Sequence, residues 1–163
     1  MDRVAIIALL FSCLGCTSID GGAVEASWVV VTKDGRAISD CGCACPPIAK
    51  IRLQLLPTAD GGSAPDPCAG RAACAFSCNQ QSGATRFEIP PGHYSISLVP
   101  VGADGNDLTS GSGEAGTCSA AGGASPVVRD VVRGRVTQLD AMVVRADCAA
   151  DCGGSDSTRV CTK

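Results

Sequence analysis

Hydrophobic and polar residues alternate with a period of two along much of the chain after residue 26, which is the pattern of β-strands that bury one face. The clearest case is the segment 50–55, in which Ile51, Leu53 and Leu55 are predicted to point into a core and the residues between them into water. The 3.6-residue period of an amphipathic helix does not continue through this region. The pattern therefore predicts a fold built from strands.

Further strands are predicted wherever the alternation returns between turn residues, at 28–31, 74–78, 85–89, 94–98, 127–132 and 139–143. The turn at 33–36 has Asp-Gly at its centre, and Pro90-Pro91-Gly92 forms a corner between two strands that are predicted to be antiparallel neighbours. In the last strand, Leu139, Ala141 and Val143 are predicted to face inward. About seven strands joined by turns predict a single all-β domain, an antiparallel β-sandwich over residues 26–146.

The N-terminus has a different pattern. Arg3 is followed by an apolar run at 4–14 and by the small residue Gly15, which is the three-part build of a secretory signal. The apolar run is too short to span a bilayer. Residues 1–15 are therefore predicted to be a signal peptide that is removed on export.

The residues Leu14-Gly15-Cys16 resemble the lipobox of bacterial lipoproteins. The resemblance implies cleavage before Cys16, attachment of diacylglycerol and an N-acyl chain to that cysteine, and, with Thr17 after it, sorting to the outer membrane. A competing frame would place the lipid on Cys13. Cys16 is preferred because its use leaves an even number of cysteines, and residues 16–25 then form a flexible tether to the domain.

Covalent cross-links between cysteines are expected to support the fold, because a chain with so few aromatic side chains builds a small core. Exported cysteines are oxidised, and after Cys16 the chain has one histidine and no C-x-x-C pair, so disulfides are predicted rather than a metal site. The counts suggest three bridges between a 41/43/45 group and a 68/74/78 group, and two more among the remaining four. The disulfide candidates are Cys41, Cys43, Cys45, Cys68, Cys74, Cys78, Cys118, Cys148, Cys152 and Cys161.

The segments FEIPPGHYSISL at 87–98 and GRVTQL at 134–139 resemble the hairpin and the closing strand of transthyretin-like and carboxypeptidase-regulatory-like sandwich domains. The resemblance implies a non-catalytic folding, adhesive or accessory module. Residues 147–163 follow this domain as a cysteine-rich C-terminal tail.

Several functions are excluded by what the chain lacks. Thirteen basic residues are scattered and the net charge is −3, so nucleic-acid binding is not expected. No catalytic or phosphate-binding motif occurs, and neither an enzymatic activity nor a cofactor is expected. His93 is interpreted as an exposed turn residue, Trp28 as a core residue, and Asp104-Gly105-Asn106-Asp107 as a turn rather than a calcium loop.

The expected function is that of an envelope lipoprotein, anchored in the outer membrane through its lipid, with a sandwich that binds an envelope protein or polysaccharide. The long loops at 57–67 and 102–125 are candidates for this contact. Two alternatives stay open. One is a thiol-based metal-binding or redox protein that uses Cys41, Cys43 and Cys45, and the other is a secreted carbohydrate-binding or inhibitor-like domain without a lipid.

Overall fold

A computed structural model describes residues 19–58, 64–110 and 121–148, and these residues form an all-β fold with short 3₁₀ turns. The predicted signal peptide at 1–15 and the lipidation site Cys16 lie outside the described residues, as does the tail beyond residue 148. No helix in the described part of the chain is long and apolar enough to cross a membrane. In chain order the strands are β1 (Ala23–Val31), β2 (Ala44–Cys45), β3 (Lys50–Pro57), β4 (Ala75–Ser77), β5 (Ser82–Ala84), β6 (Gly92–Val101), β7 (Val127–Val131), β8 (Val136–Gln138), β9 (Met142–Arg145) and β10 (Asp147–Cys148).

The strands form two four-stranded sheets and a small ribbon. In the first sheet β1 lies between β5 on one side and both β8 and β9 on the other, and in the second the order is β4-β3-β6-β7. Strands β2 and β10 pair as the ribbon. Buried side chains from both sheets belong to one hydrophobic cluster, so the two sheets have a sandwich-like arrangement. The prediction of about seven strands was too low because β2, β5, β8 and β10 have only two or three residues each, too few for an alternation to be detected.

The second sheet matches the alternation in the sequence. Strand β3 pairs with β6 over its full length, from Lys50 opposite Val101 to Pro57 opposite Tyr94. The inward positions predicted for β3 are fully buried, and those predicted for β6 are nearly so. These predictions are confirmed for Ile51, Leu53, Leu55, Tyr94, Ile96 and Leu98.

The first sheet is not purely antiparallel, so this part of the prediction was wrong. Strands β8 and β9 both run parallel to β1 and follow one another along the same side of it. The residues between them shift the alternation: Leu139 is buried as predicted, but Ala141 and Val143 are exposed, while Met142 and Val144 are buried. A break between two strands thus reversed the predicted inward face, since one added residue moves every later side chain to the opposite face.

The predicted strand at 85–89 is a turn instead. Ile89 makes only an isolated bridge with Gly22, and Phe87 is exposed. Pro90 and Pro91 have no N–H group to donate, so a ladder cannot continue through them. The corner that follows is closed by the Tyr94 hydroxyl, which donates to the carbonyl of Pro90 at 2.9 Å, and burial raises the pKa of Tyr94.

Candidate functional site

Several cysteines of the described residues are in disulfides. Cys41 is bonded to Cys78 and Cys68 to Cys74, and Cys45 is also disulfide-bonded. The predicted link between the 41/43/45 and 68/74/78 groups is therefore confirmed for Cys41–Cys78. It was wrong for Cys68 and Cys74, which bond within their own group because a turn between them brings their Cα atoms to 5.6 Å.

The remaining cysteines take different places. Cys43 is buried, and neither of the two bridges just described includes it. Cys148 contributes its backbone to the ribbon opposite Ala44. Cys118, Cys152 and Cys161 lie outside the described residues, so the disulfides predicted for them stay predictions.

The three-thiolate site of the metal-binding alternative is not assembled. Two of its three sulfur atoms, those of Cys41 and Cys45, are in disulfides and cannot act as thiolate ligands. Over residues 19–58, 64–110 and 121–148, no group of three or more His, Cys, Asp or Glu side chains is placed to hold a metal ion.

Trp28 is a core residue, as predicted. Its side chain is 1% exposed, its indole N–H donates to the carbonyl of Cys78 at 2.9 Å, and its ring stacks on Phe76 with centroids 6.2 Å apart. The Phe76 ring in turn covers Gly83, where a Cβ atom would lie 2.3 Å from the ring. The Trp28 ring is therefore buried and not available to stack on a sugar.

His93 is exposed but lies in β6 rather than in a corner. It faces Asp130 of β7 across the register, and its Nδ1 atom contacts the carboxylate oxygen Oδ1 of Asp130. Both side chains are largely in water, where such a pair contributes little to stability.

Two similar turns extend from β1 and β6. In each, an Asp-Gly pair places glycine at a φ of 84°, in the turns at 32–36 and 102–106. The Thr32 hydroxyl holds the pKa of Asp34 below its ordinary value, and the backbone N–H of Asn106 does the same for Asp104. The interpretation of 104–107 as a turn is thus confirmed, and both of its aspartates have partners: Asp104 accepts from Asn106 within the loop, and Asp107 pairs with Arg52 of β3 at 2.8 Å.

A groove of about 350 Å³ lies beside β9, between this strand and the segment 123–127. The N–H and C=O groups of Arg145 point away from β1 and bond to Gly122 at 3.0 and 2.6 Å. Because alternate residues of a strand direct their backbone groups to the same side, those of Val143 point to the same side as those of Arg145, toward the groove. Within the part of the chain that the structure describes, ladder pairing on this edge of β9 stops at Gly122 and Arg145.

Charged side chains lie at both ends of this edge. Asp140 precedes β9 and lies 3.3 Å from the guanidinium of Arg129, and Arg145 ends the strand. The groove can therefore accept an extended main chain, with apolar contact to Met142 and Val143 and one charge of each sign at its ends.

The sequence did not indicate this site on β9 itself. Only residues 123–125 belong to a segment predicted as a contact loop, that at 102–125, and the described residues of the other predicted loop, 57–58 and 64–67, do not line the groove. The run of small residues at 121–125 is the feature of the sequence that could have indicated the groove. Small residues are needed there because this segment lies close to β6: a Cβ atom on Gly123 would be 2.8 Å from the carbonyl oxygen of Leu98.

No family model, curated protein or solved structure matches the chain. The resemblances to a lipobox and to transthyretin-like domains stay predictions.

Proposed function

We propose that the protein is an outer-membrane lipoprotein, acylated on Cys16, whose sandwich is a non-catalytic module of the transthyretin-like type that binds an extended segment of another envelope component. The observation that carries this proposal is the edge of β9 beside the groove, where ladder pairing among the described residues stops at Gly122 and Arg145. A strand edge with unpaired N–H and C=O groups is a template on which another chain can add a strand.

The anchoring half of the proposal is supported by chain length and by sulfur chemistry. Cys16 lies five residues before Gly21, so the anchor and the domain are at most about 18 Å apart along an extended chain. Disulfides such as Cys41–Cys78 persist in oxidising compartments outside the cytoplasm. Both points fit a domain that is exported and then held close to a membrane.

The binding half is supported by the chemistry of the groove. An added strand would gain main-chain hydrogen bonds from Val143, and the charges of Asp140 and Arg145 would favour one direction and one charge pattern in the partner. The other two candidate functions have less support. The thiol-based one lacks two of its ligands, and the sugar-binding one lacks its stacking ring because Trp28 is buried.

Replacing Cys16 with alanine is expected to move the protein out of the membrane fraction, because no acyl chains are then attached. The measurement is the distribution between detergent and aqueous phases together with the intact mass, which reports the acyl chains directly. Cys13→Ala is the matched control and is expected to retain both acylation and membrane association. If the Cys16→Ala protein were still acylated, and the lipid disappeared only when Cys13 was replaced as well, the lipid would be on Cys13 and the assignment to Cys16 would be wrong.

A photo-crosslinking amino acid at Val143 is expected to form a discrete adduct with an envelope component in intact cells, since this position is exposed and lines the groove. The control is the same crosslinker at Leu56, an equally accessible apolar residue of β3 in the other sheet. Val143→Pro, with the crosslinker moved to Ala141, removes one N–H group from the edge and is expected to reduce the adduct. Equal adducts from Val143 and Leu56 would rule out the β9 edge as the binding site.

A further inference from the structure

The end of the domain that leads to the N-terminus is held between two turns. Gly22 exchanges hydrogen bonds with Ile89 of the turn at 86–89, at 2.8 and 3.1 Å. On the other side, the carbonyl of Gly21 accepts from Gly134 at 2.9 Å in the turn at 132–135, and Ala23 donates to Arg135. The chain before β1 thus runs between these two turns.

The backbone at Gly21 and Gly22 lies so close to both turns that it fixes their positions. A Cβ atom on Gly21 would lie 2.8 Å from the carbonyl oxygen of Phe87, and one on Gly22 would lie 2.6 Å from that of Val132. Only glycine fits at both positions without moving backbone atoms. Phe87 and Val132 are therefore held on opposite sides of the same two residues.

This end exposes apolar and basic side chains together. Ile19, Phe87 and Val132 are 49%, 38% and 45% exposed. Exposed arginines lie beside them in the two turns, at positions 86, 133 and 135. The carboxylates on the same segments are Asp20 and Glu88, and Glu88 lies 3.9 Å from a further arginine, Arg71. On these segments three arginines stand against two carboxylates, so this end is positive, although the whole chain carries a net charge of −3.

We propose that this tether-end surface, formed by Ile19, Arg86, Phe87, Val132, Arg133 and Arg135, docks onto the anionic surface of the membrane. Exposed apolar side chains among arginines suit the boundary between headgroups and acyl chains, and arginines are attracted to lipid phosphates. The inference rests on the proposed acylation of Cys16. That residue lies three positions before Ile19, so an extended chain keeps this end within about 11 Å of the anchored cysteine.

Docking in this way would give the domain a fixed orientation. Strand β1 runs away from the tether end, and its nine residues carry the chain about 30 Å from the membrane surface. The turn at 32–36 and the Cys41–Cys78 bridge would then lie away from the bilayer. Strand β9 runs parallel to β1, so its edge would also point away from the membrane surface and would be accessible to a partner from the side.

The test uses the acylated full-length protein in vesicles whose lipids are brominated near the top of the acyl chains. Phe87→Trp adds a fluorophore at the tether end, and its added emission is expected to be largely lost in vesicles of phosphatidylcholine and phosphatidylglycerol. The matched control is Val29→Trp, at an exposed position seven residues along β1 from Gly22, which is expected to keep its emission. Trp28 is buried in both variants and supplies the same background.

The contribution of charge is tested in the Phe87→Trp background. Arg86→Gln, Arg133→Gln and Arg135→Gln together are expected to reduce quenching by vesicles that contain phosphatidylglycerol, with less change in phosphatidylcholine alone. The same number of substitutions away from this end, Lys33→Gln, Arg36→Gln and Lys50→Gln, is the control and is expected to have no effect. An acylated Phe87→Trp protein that is unquenched, or quenched no more than Val29→Trp, overturns the docking while leaving the lipoprotein proposal intact. An intact mass without acyl chains overturns both.

Discussion

Replacing Trp28 with alanine is expected to lower the free energy of unfolding by about 3–5 kcal/mol, the range for removing a large aromatic side chain from a core. Three contributions are lost at once. The buried indole leaves a cavity between the sheets, the stacking with Phe76 disappears, and the carbonyl of Cys78 loses its donor at 2.9 Å. Urea denaturation followed by circular dichroism gives the measurement, since the change removes the only tryptophan.

Two variants separate these contributions. Trp28→Phe keeps most of the ring but removes the indole N–H, and is expected to cost about 1–3 kcal/mol, the range for a buried carbonyl left without a partner. Val29→Ala changes the neighbouring residue, which is 41% exposed and faces away from the core, and is expected to cost less than about 1 kcal/mol. If Trp28→Ala were no more destabilising than Val29→Ala, the aromatic pair would not be part of the core that joins the two sheets.

The all-β class and the inner face of the second sheet could be predicted from the sequence because β3 and β6 are long. Over eight or ten residues, alternation is a strong signal, and it correctly placed Leu53 and Leu98 in the core. The parallel pairing of β1 with β8 and β9 could not be predicted in this way. Alternation reports which face a residue belongs to and contains no information about the direction of the neighbouring strand.

The candidate sites were less predictable for a related reason. The cysteine count pointed to disulfides, but the partner of Cys68 depends on a turn that brings Cys74 within bonding distance. The groove depends on how β9 and the segment 123–127 meet, and these are brought together only by the folded topology. The tether-end surface likewise joins Phe87 and Val132, which are 45 positions apart in the sequence and meet only around Gly21 and Gly22. Local patterns identified the chemistry available, and tertiary structure decided where it lies.

Removing the Cys41–Cys78 bridge by replacing both residues with alanine is expected to lower the free energy of unfolding by about 4 kcal/mol. The bridge joins residues 37 positions apart and therefore restricts a long loop of the unfolded chain. For the Cys68–Cys74 bridge, with a separation of 6, the same relation gives about 2 kcal/mol. Urea titrations of the two double variants, followed by the fluorescence of Trp28, measure both losses.

The two bridges form a matched pair because all four cysteines are at most 4% exposed, so the cavities left by alanine are similar in kind. The difference between the two variants then reports loop length rather than burial. Trp28 makes the result for the first bridge more informative, since its indole donates to the carbonyl of Cys78 and its emission is expected to change when the bridge is absent. Equal losses, or a larger loss for Cys68–Cys74, would mean that the Cys41–Cys78 loop is already restricted in the unfolded chain. A variant without the Cys41–Cys78 bridge that kept its full stability would mean that this disulfide does not stabilise the fold.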